Sequence, residues 1–237
     1  MQSIVDIIKS IESELPYVNP TQIYNEGWLT RMLMNQSVKE KIKFGGLDFK
    51  DFSKWTSEAL ISSPFIKTKE KREGYTHADI VFGDFIVNYK VSGKVEVEEG
   101  VKIFGVIEAK MRSSLSKGTT NFENYNQAAR ILACISSNTY EKNCKIYFIV
   151  VAPKIKLTKI NEQIEIENLL DGIKTRFVEY DEDFKLKQNM DSLLAKATVC
   201  NVLSWNYEDW IDAIKDSASK KMLGEFYNET KKWNSVY

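Results

Sequence analysis

The chain has 237 residues, 43% of them hydrophobic, 12% aromatic and 28% charged, so it can bury a sizeable core without disulfides or a structural metal, and a largely disordered chain is excluded. Lys+Arg and Asp+Glu balance at 33 each, which excludes a protein-wide basic field and leaves any polyanion to be met by local patches or a bound metal. Cys134, Cys144 and Cys200 are odd in number and lack zinc or iron–sulfur spacing, which points to free thiols in a reducing compartment.

Ile4, Ile7, Ile8, Ile11 and Leu15 fall at helical spacing with acids between them, which predicts a first helix rather than an export signal. After Pro16 and Pro20 a second helix is expected from about Thr21 to Lys41, with Trp28, Leu29, Met32 and Leu33 on one stripe and an end near Gly45-Gly46. Residues 47 to 75 read as a helix anchored by Trp55, Leu60 and Phe65, then an exposed charged loop. From Tyr75 to Met111, β-branched and aromatic residues between Gly-containing turns predict a meander of about three strands. A helix from about Asn121 to Ser137 should pack on the sheet through Ala128, Ile131, Leu132 and Ile135.

The run CKIYFIVVAP is short, apolar, β-branched and closed by Pro153, the pattern of a buried central strand. Beyond it the expected order is a helix around Asn161 to Ile173, a strand at Thr175 to Tyr180, a helix around Asn189 to Ala197 and a helical region from Tyr207. No apolar run approaches the roughly 20 residues of a membrane helix. The expectation is a cytoplasmic α/β protein of one domain over residues 1–237. Its core spans about 20–180 and a C-terminal helical addition about 185–237, with a mixed central sheet flanked by helices on both faces.

Chemistry concentrates in the meander. Glu108 and Lys110 are two apart on one strand, hence on one face, directly after Val106 and Ile107. Asp79 interrupts the apolar segment Ala78 to Phe82, where Val or Thr would be ordinary. Two carboxylates on paired strands can hold a divalent cation: Asp79 and Glu108 supply oxygens, the Ala109 carbonyl a third, and Lys110 can orient water and stabilise a phosphorane-like transition state. Asp84 is a rival first acid, and His77 shares the strand parity of Asp79.

An acid in one strand followed by Glu108-Ala109-Lys110 in a neighbouring strand resembles the signature of the PD-(D/E)XK nuclease superfamily. The resemblance covers about residues 20 to 152; Ala78 stands where the family name has Pro, and the separation of 29 between Asp79 and Glu108 requires an intervening hairpin. It implies a three-layer α/β/α sandwich of restriction-endonuclease type with extra N- and C-terminal helices, dependence on Mg²⁺ or Mn²⁺, and hydrolysis of DNA phosphodiesters. It further implies a Glu on the helix before the meander, here Glu26, and a Gln or Arg on the helix after it, here Gln127 and Arg130. Arg112 and Lys117, next to the triplet, and the basic runs Lys67 to Arg72 and Lys154 to Lys159 are candidates for phosphate contact.

The expected activity is a restriction-enzyme-like DNA endonuclease, and a homodimer would supply the two active sites that cutting both strands calls for. The alternative is a catalytically inactive nuclease-fold binding or assembly module. No Gly-rich phosphate loop, nucleophile elbow or Cys/His pairing supports a small-molecule enzyme.

Overall fold

The computed structural model describes residues 18–65, 73–116, 118, 125–178 and 184–235. The helix expected over Ile4 to Leu15, residues 66–72 of the charged loop, and Lys117 lie outside the described residues. After a single helical turn at Pro20–Ile23, Asn25 adopts an extended conformation and its side chain accepts the Trp28 N–H, which starts α1 (Glu26–Glu40). Lys41, in the left-handed region at φ 49°, ends α1 and leads into a small hairpin, β1 (Lys43–Phe44) and β2 (Leu47–Asp48).

A mixed seven-stranded sheet follows, built from β3 (Trp55–Ser62), β4 (Tyr75–Gly83), β5 (Phe85–Asn88), β6 (Lys94–Val97), β7 (Ile103–Ala109), β8 (Lys145–Ala152) and β9 (Asn201–Asn206) in the order β5-β6-β3-β4-β7-β8-β9. The hairpin β5–β6 swings to the far side of β3, so β4 and β7 pair directly and antiparallel despite the long separation between them. β7, β8 and β9 run parallel, and β8 is buried on both faces, as its continuous apolar run requires. On β7 a Cβ at Gly105 would sit 2.2 Å from the Phe82 ring, so only glycine admits that ring across the strand.

Helices cover both faces. On one, Phe104, Val106, Phe148 and Val150 meet α2 (Gln127–Ser137), α4 (Ile166–Val178) and α5 (Phe184–Thr198), with the short α3 (Leu157–Gln163) beside them. On the other, Ile107, Ala109, Ile149 and Val151 meet α1, α6 (Tyr207–Ala213) and α7 (Ser217–Trp233). Buried Trp210 ties α6 to α1 by donating its ring N–H to the Ser37 hydroxyl at 2.9 Å, and Thr30 Oγ1 lies 3.2 Å from the Tyr207 hydroxyl. No helix among the described residues is long and apolar enough to cross a membrane.

Five expectations need correction. Trp55 to Ser62 is a strand, not a helix: its Glu-Ala-Leu sequence favours helix locally, but the slot between β6 and β4 overrides that preference. The helix expected at Asn161 to Ile173 is two helices, α3 and α4, and Thr175 to Val178 continue α4 instead of forming a strand. Leu169, Ile173 and Phe177 extend the apolar face at four-residue spacing. Residues 179 and 180 lie outside the described residues. The helix expected from Asn121 starts at Gln127, capped by Asn126, with residues 121–124 also outside. Finally, the region expected as a helical addition supplies β9, an edge strand of the sheet.

Candidate active site

The central feature is a splay between two paired strands. Pairing of β4 with β7 runs from Gly83↔Phe104 to Ile80↔Ile107 and then stops. One residue further, the Asp79 side chain replaces the strand: its Oδ2 accepts the Ala109 N–H at 2.7 Å. The β3–β4 ladder also breaks here, pairing Ser57 with Ile80 and Ala59 with Ala78 but not Glu58 with Asp79. Glu58 has φ 53°, a left-handed conformation that costs a non-glycine residue about 1 kcal/mol or more. The twist frees Asp79 from the sheet and aims it across the gap.

Four further side chains close on the gap. Glu108 is 3% exposed; its Oε1 accepts from the Lys110 ammonium at 2.7 Å and from the Gln127 side-chain amide at 2.6 Å, while Oε2 is buried with no partner. Glu26, in the first turn of α1, accepts the Met111 N–H at 2.7 Å and thereby fixes the chain just past Lys110. The Lys110 N–H donates to the Val151 carbonyl on β8. N–H and C=O of one extended residue point to the same strand edge, so the Ala109 carbonyl faces the Asp79 side.

The electrostatics follow from packing three carboxylates around one ammonium. Burial, followed by the nearby Asp79 charge, pushes the Glu108 carboxyl up to about 7 against the opposing pull of Lys110. Burial also raises Asp79 and Glu26, opposed in each case by the backbone N–H it accepts and by Lys110. An open cleft of about 750 Å³ leads in, lined by Glu26, Asp79, Glu58, Arg31 and Arg112 among others. Among the described residues, no three His, Cys, Asp or Glu side chains form a group that would hold a metal ion by themselves.

The structure thus brings together Asp79, Glu108, Ala109, Lys110, Glu26 and Gln127, with Arg112 exposed at the rim. It does not bring Arg130: its guanidinium donates to the Tyr75 carbonyl at 2.9 Å and lies 3.2 Å from Glu73 in a separate ionic cluster. His77 is exposed on β4, and Asp84 sits at the opposite end of β7, accepting the Lys102 and Ile103 N–H groups. Sequence reasoning passed over Glu58 and Arg31, which line the cleft as an ion pair at 2.8 Å. The signal for Glu58 was hidden because its segment reads as helix. Comparison with family models, with curated proteins and with solved structures returns no match for this chain.

Proposed function

We propose that the chain is a Mg²⁺-dependent nuclease that hydrolyses DNA phosphodiesters, with the site and fold plan of the PD-(D/E)XK superfamily. The observation that carries this reading is the buried, unpartnered Glu108 Oε2 beside Asp79, in a pocket where three carboxylates face one ammonium. Asp79, Glu108 and Glu26 outnumber the Lys110 ammonium among them, an excess of acid that a divalent cation would offset. Mg²⁺ prefers oxygen donors and keeps several waters, so Asp79, Glu108 and the Ala109 carbonyl suffice as protein ligands. When bound, the ion neutralises phosphate charge and makes a bound water more acidic.

The protein's part is positioning. Gln127 holds Glu108 Oε1, Glu26 holds the backbone beyond Lys110, and Asp79 is anchored at one oxygen by Ala109. Lys110 orients the attacking water and shares the charge that builds on the phosphoryl oxygens as one P–O bond forms and another breaks. Arg112, at the rim of the cleft, is available to a neighbouring phosphate.

One observation favours a second reading, a nuclease-fold binding module without catalysis: the Lys110 ammonium already rests on Glu108 at 2.7 Å, where it stands in for a cation. Incubation of supercoiled plasmid, linear duplex and single strands with the purified protein in Mg²⁺ or Mn²⁺, alongside Asp79→Ala and Lys110→Ala, separates the two. Nicking by the wild type alone supports the nuclease. DNA binding without cleavage supports the module, and equal cleavage by all three proteins rejects the site.

A further inference from the structure

The cleft has a second wall that the hydrolytic chemistry does not use. Arg31, on α1, reaches across to β3, donating from Nε to the Ser57 hydroxyl at 3.0 Å and from Nη2 to Glu58 Oε1 at 2.8 Å. Its guanidinium carbon lies 5.2 Å from the centre of the Trp28 ring, which gives the planar fork a flat support. Its Nη1 faces Gly27, where an added Cβ would lie 3.2 Å away, so the missing side chain keeps this corner open. Glu58, in contrast, is a poor permanent partner: its side chain is 58% exposed, and its backbone is held at φ 53°. An exposed pair of this kind exchanges readily for a better anion, and a fork anchored at one nitrogen matches two phosphate oxygens.

We propose that Arg31 is a phosphate-binding site for a phosphodiester adjacent to the one being cut, and that Glu58 occupies the guanidinium until the nucleic acid displaces it. The proposal rests on the nuclease reading, which provides the polyanion. It assigns the cleft a direction: the backbone enters over Arg31 and Trp28, passes the carboxylates and leaves past Arg112.

The test is fluorescence anisotropy with labelled single-stranded and duplex oligonucleotides in EDTA, with plasmid cleavage in Mg²⁺ run in parallel and thermal melts as a check on folding. Glu58→Gln should tighten binding about threefold, since it releases Arg31 from a competing anion. Arg31→Ala should weaken binding about tenfold and reduce the salt slope by about one phosphate contact. The double variant should bind no more tightly than Arg31→Ala, whereas a merely structural helix-to-strand tie predicts that Glu58→Gln leaves binding unchanged or weaker. If that last pattern appears while plasmid is still cut, Arg31 is not a phosphate site and the nuclease reading stands. If no variant binds oligonucleotide and no plasmid is cut, both fall together.

Discussion

Among the described residues lie two buried ionic clusters built on opposite plans. Around Glu73, one carboxylate meets two guanidiniums, Arg130 at 3.2 Å and Arg176 at 3.4 Å, together with the Ser63 hydroxyl at 2.9 Å. Arg176, itself 1% exposed, also lies over the Phe65 ring. Around Glu108 the balance is reversed, with three carboxylates, one ammonium and an oxygen left without a partner. The first cluster satisfies its acid and locks α2 and α4 to the end of β4. The second leaves one buried carboxylate oxygen, Glu108 Oε2, without a partner, which a protein tolerates where a ligand completes the set. The difference separates an ionic group that holds the fold from one that, on the nuclease proposal, a cation would complete.

On the nuclease proposal, the largest effects should come from removing the groups assigned to the chemistry. Asp79→Ala and Lys110→Ala are each expected to lower plasmid cleavage by about 10³-fold per folded molecule, and Lys110→Ala should also lower the melting temperature, because it leaves Glu108 buried without its ammonium. Arg176→Ala should do the converse. It leaves Glu73 buried with half its compensation, at a cost of about 3 kcal/mol or more, read by chemical denaturation. Cleavage per folded molecule should persist, and a catalytic loss in Arg176→Ala without unfolding would erase the distinction between the clusters.

Smaller, but more diagnostic, is the response to pH in the absence of metal. The Glu108 carboxyl is raised from 4.5 when unfolded to about 7 when folded, so between those values the native state holds a proton that the unfolded state has lost. Stability must therefore fall as pH rises through that window, by on the order of 2–3 kcal/mol, and the raised Asp79 and Glu26 act in the same direction. Denaturation in EDTA at pH 5.5 and pH 8 should show this loss. Glu108→Gln should flatten most of it, and Mg²⁺ at about 100 times its dissociation constant should restore about 2.7 kcal/mol at pH 8. A flat profile in the wild type would mean that Glu108 is better compensated than its orphan oxygen indicates.

How much of this was legible in the sequence depends on whether the signal is local. Asp79, Glu108 and Lys110 stand out because charged residues occupy strand positions that burial would otherwise give to Val or Ile, and period-two alternation puts the last two on one face. Buried β8 and helix α2 are likewise written in their own apolar patterns. Glu26 and Gln127 came from the resemblance, since nothing in a helix's own periodicity says which carboxylate will reach Met111 or which amide will reach Glu108. The misses are cases where a distant partner decides. Arg130 looked like a companion of Gln127 until Glu73, far away in sequence, claimed its guanidinium. β3 reads as helix until β4 and β6 flank it, and β9 is a half-buried edge strand with too few apolar residues to announce itself.

The smallest effect discriminates between the two candidate first acids. Asp84 and Asp79 both lie on or just past β4, and both accept backbone N–H groups of β7, but at opposite ends of that strand. Asp84 bonds Lys102 and Ile103 where β7 begins, and Asp79 bonds Ala109 where it ends. Six residues of extended chain separate these ends by roughly 20 Å, beyond the reach of any carboxylate toward Glu108. Asp84 acts as a turn acceptor that starts the strand, so Asp84→Asn should cost about 1 kcal/mol in denaturation and leave plasmid cleavage unchanged. Asp79→Asn removes the carboxylate charge from the splay itself, which gives the comparison its meaning. The same amide substitution on two acids that both hold β7 should abolish cleavage at one end of the strand and spare it at the other, and a cleavage defect in Asp84→Asn would move the site away from Glu108.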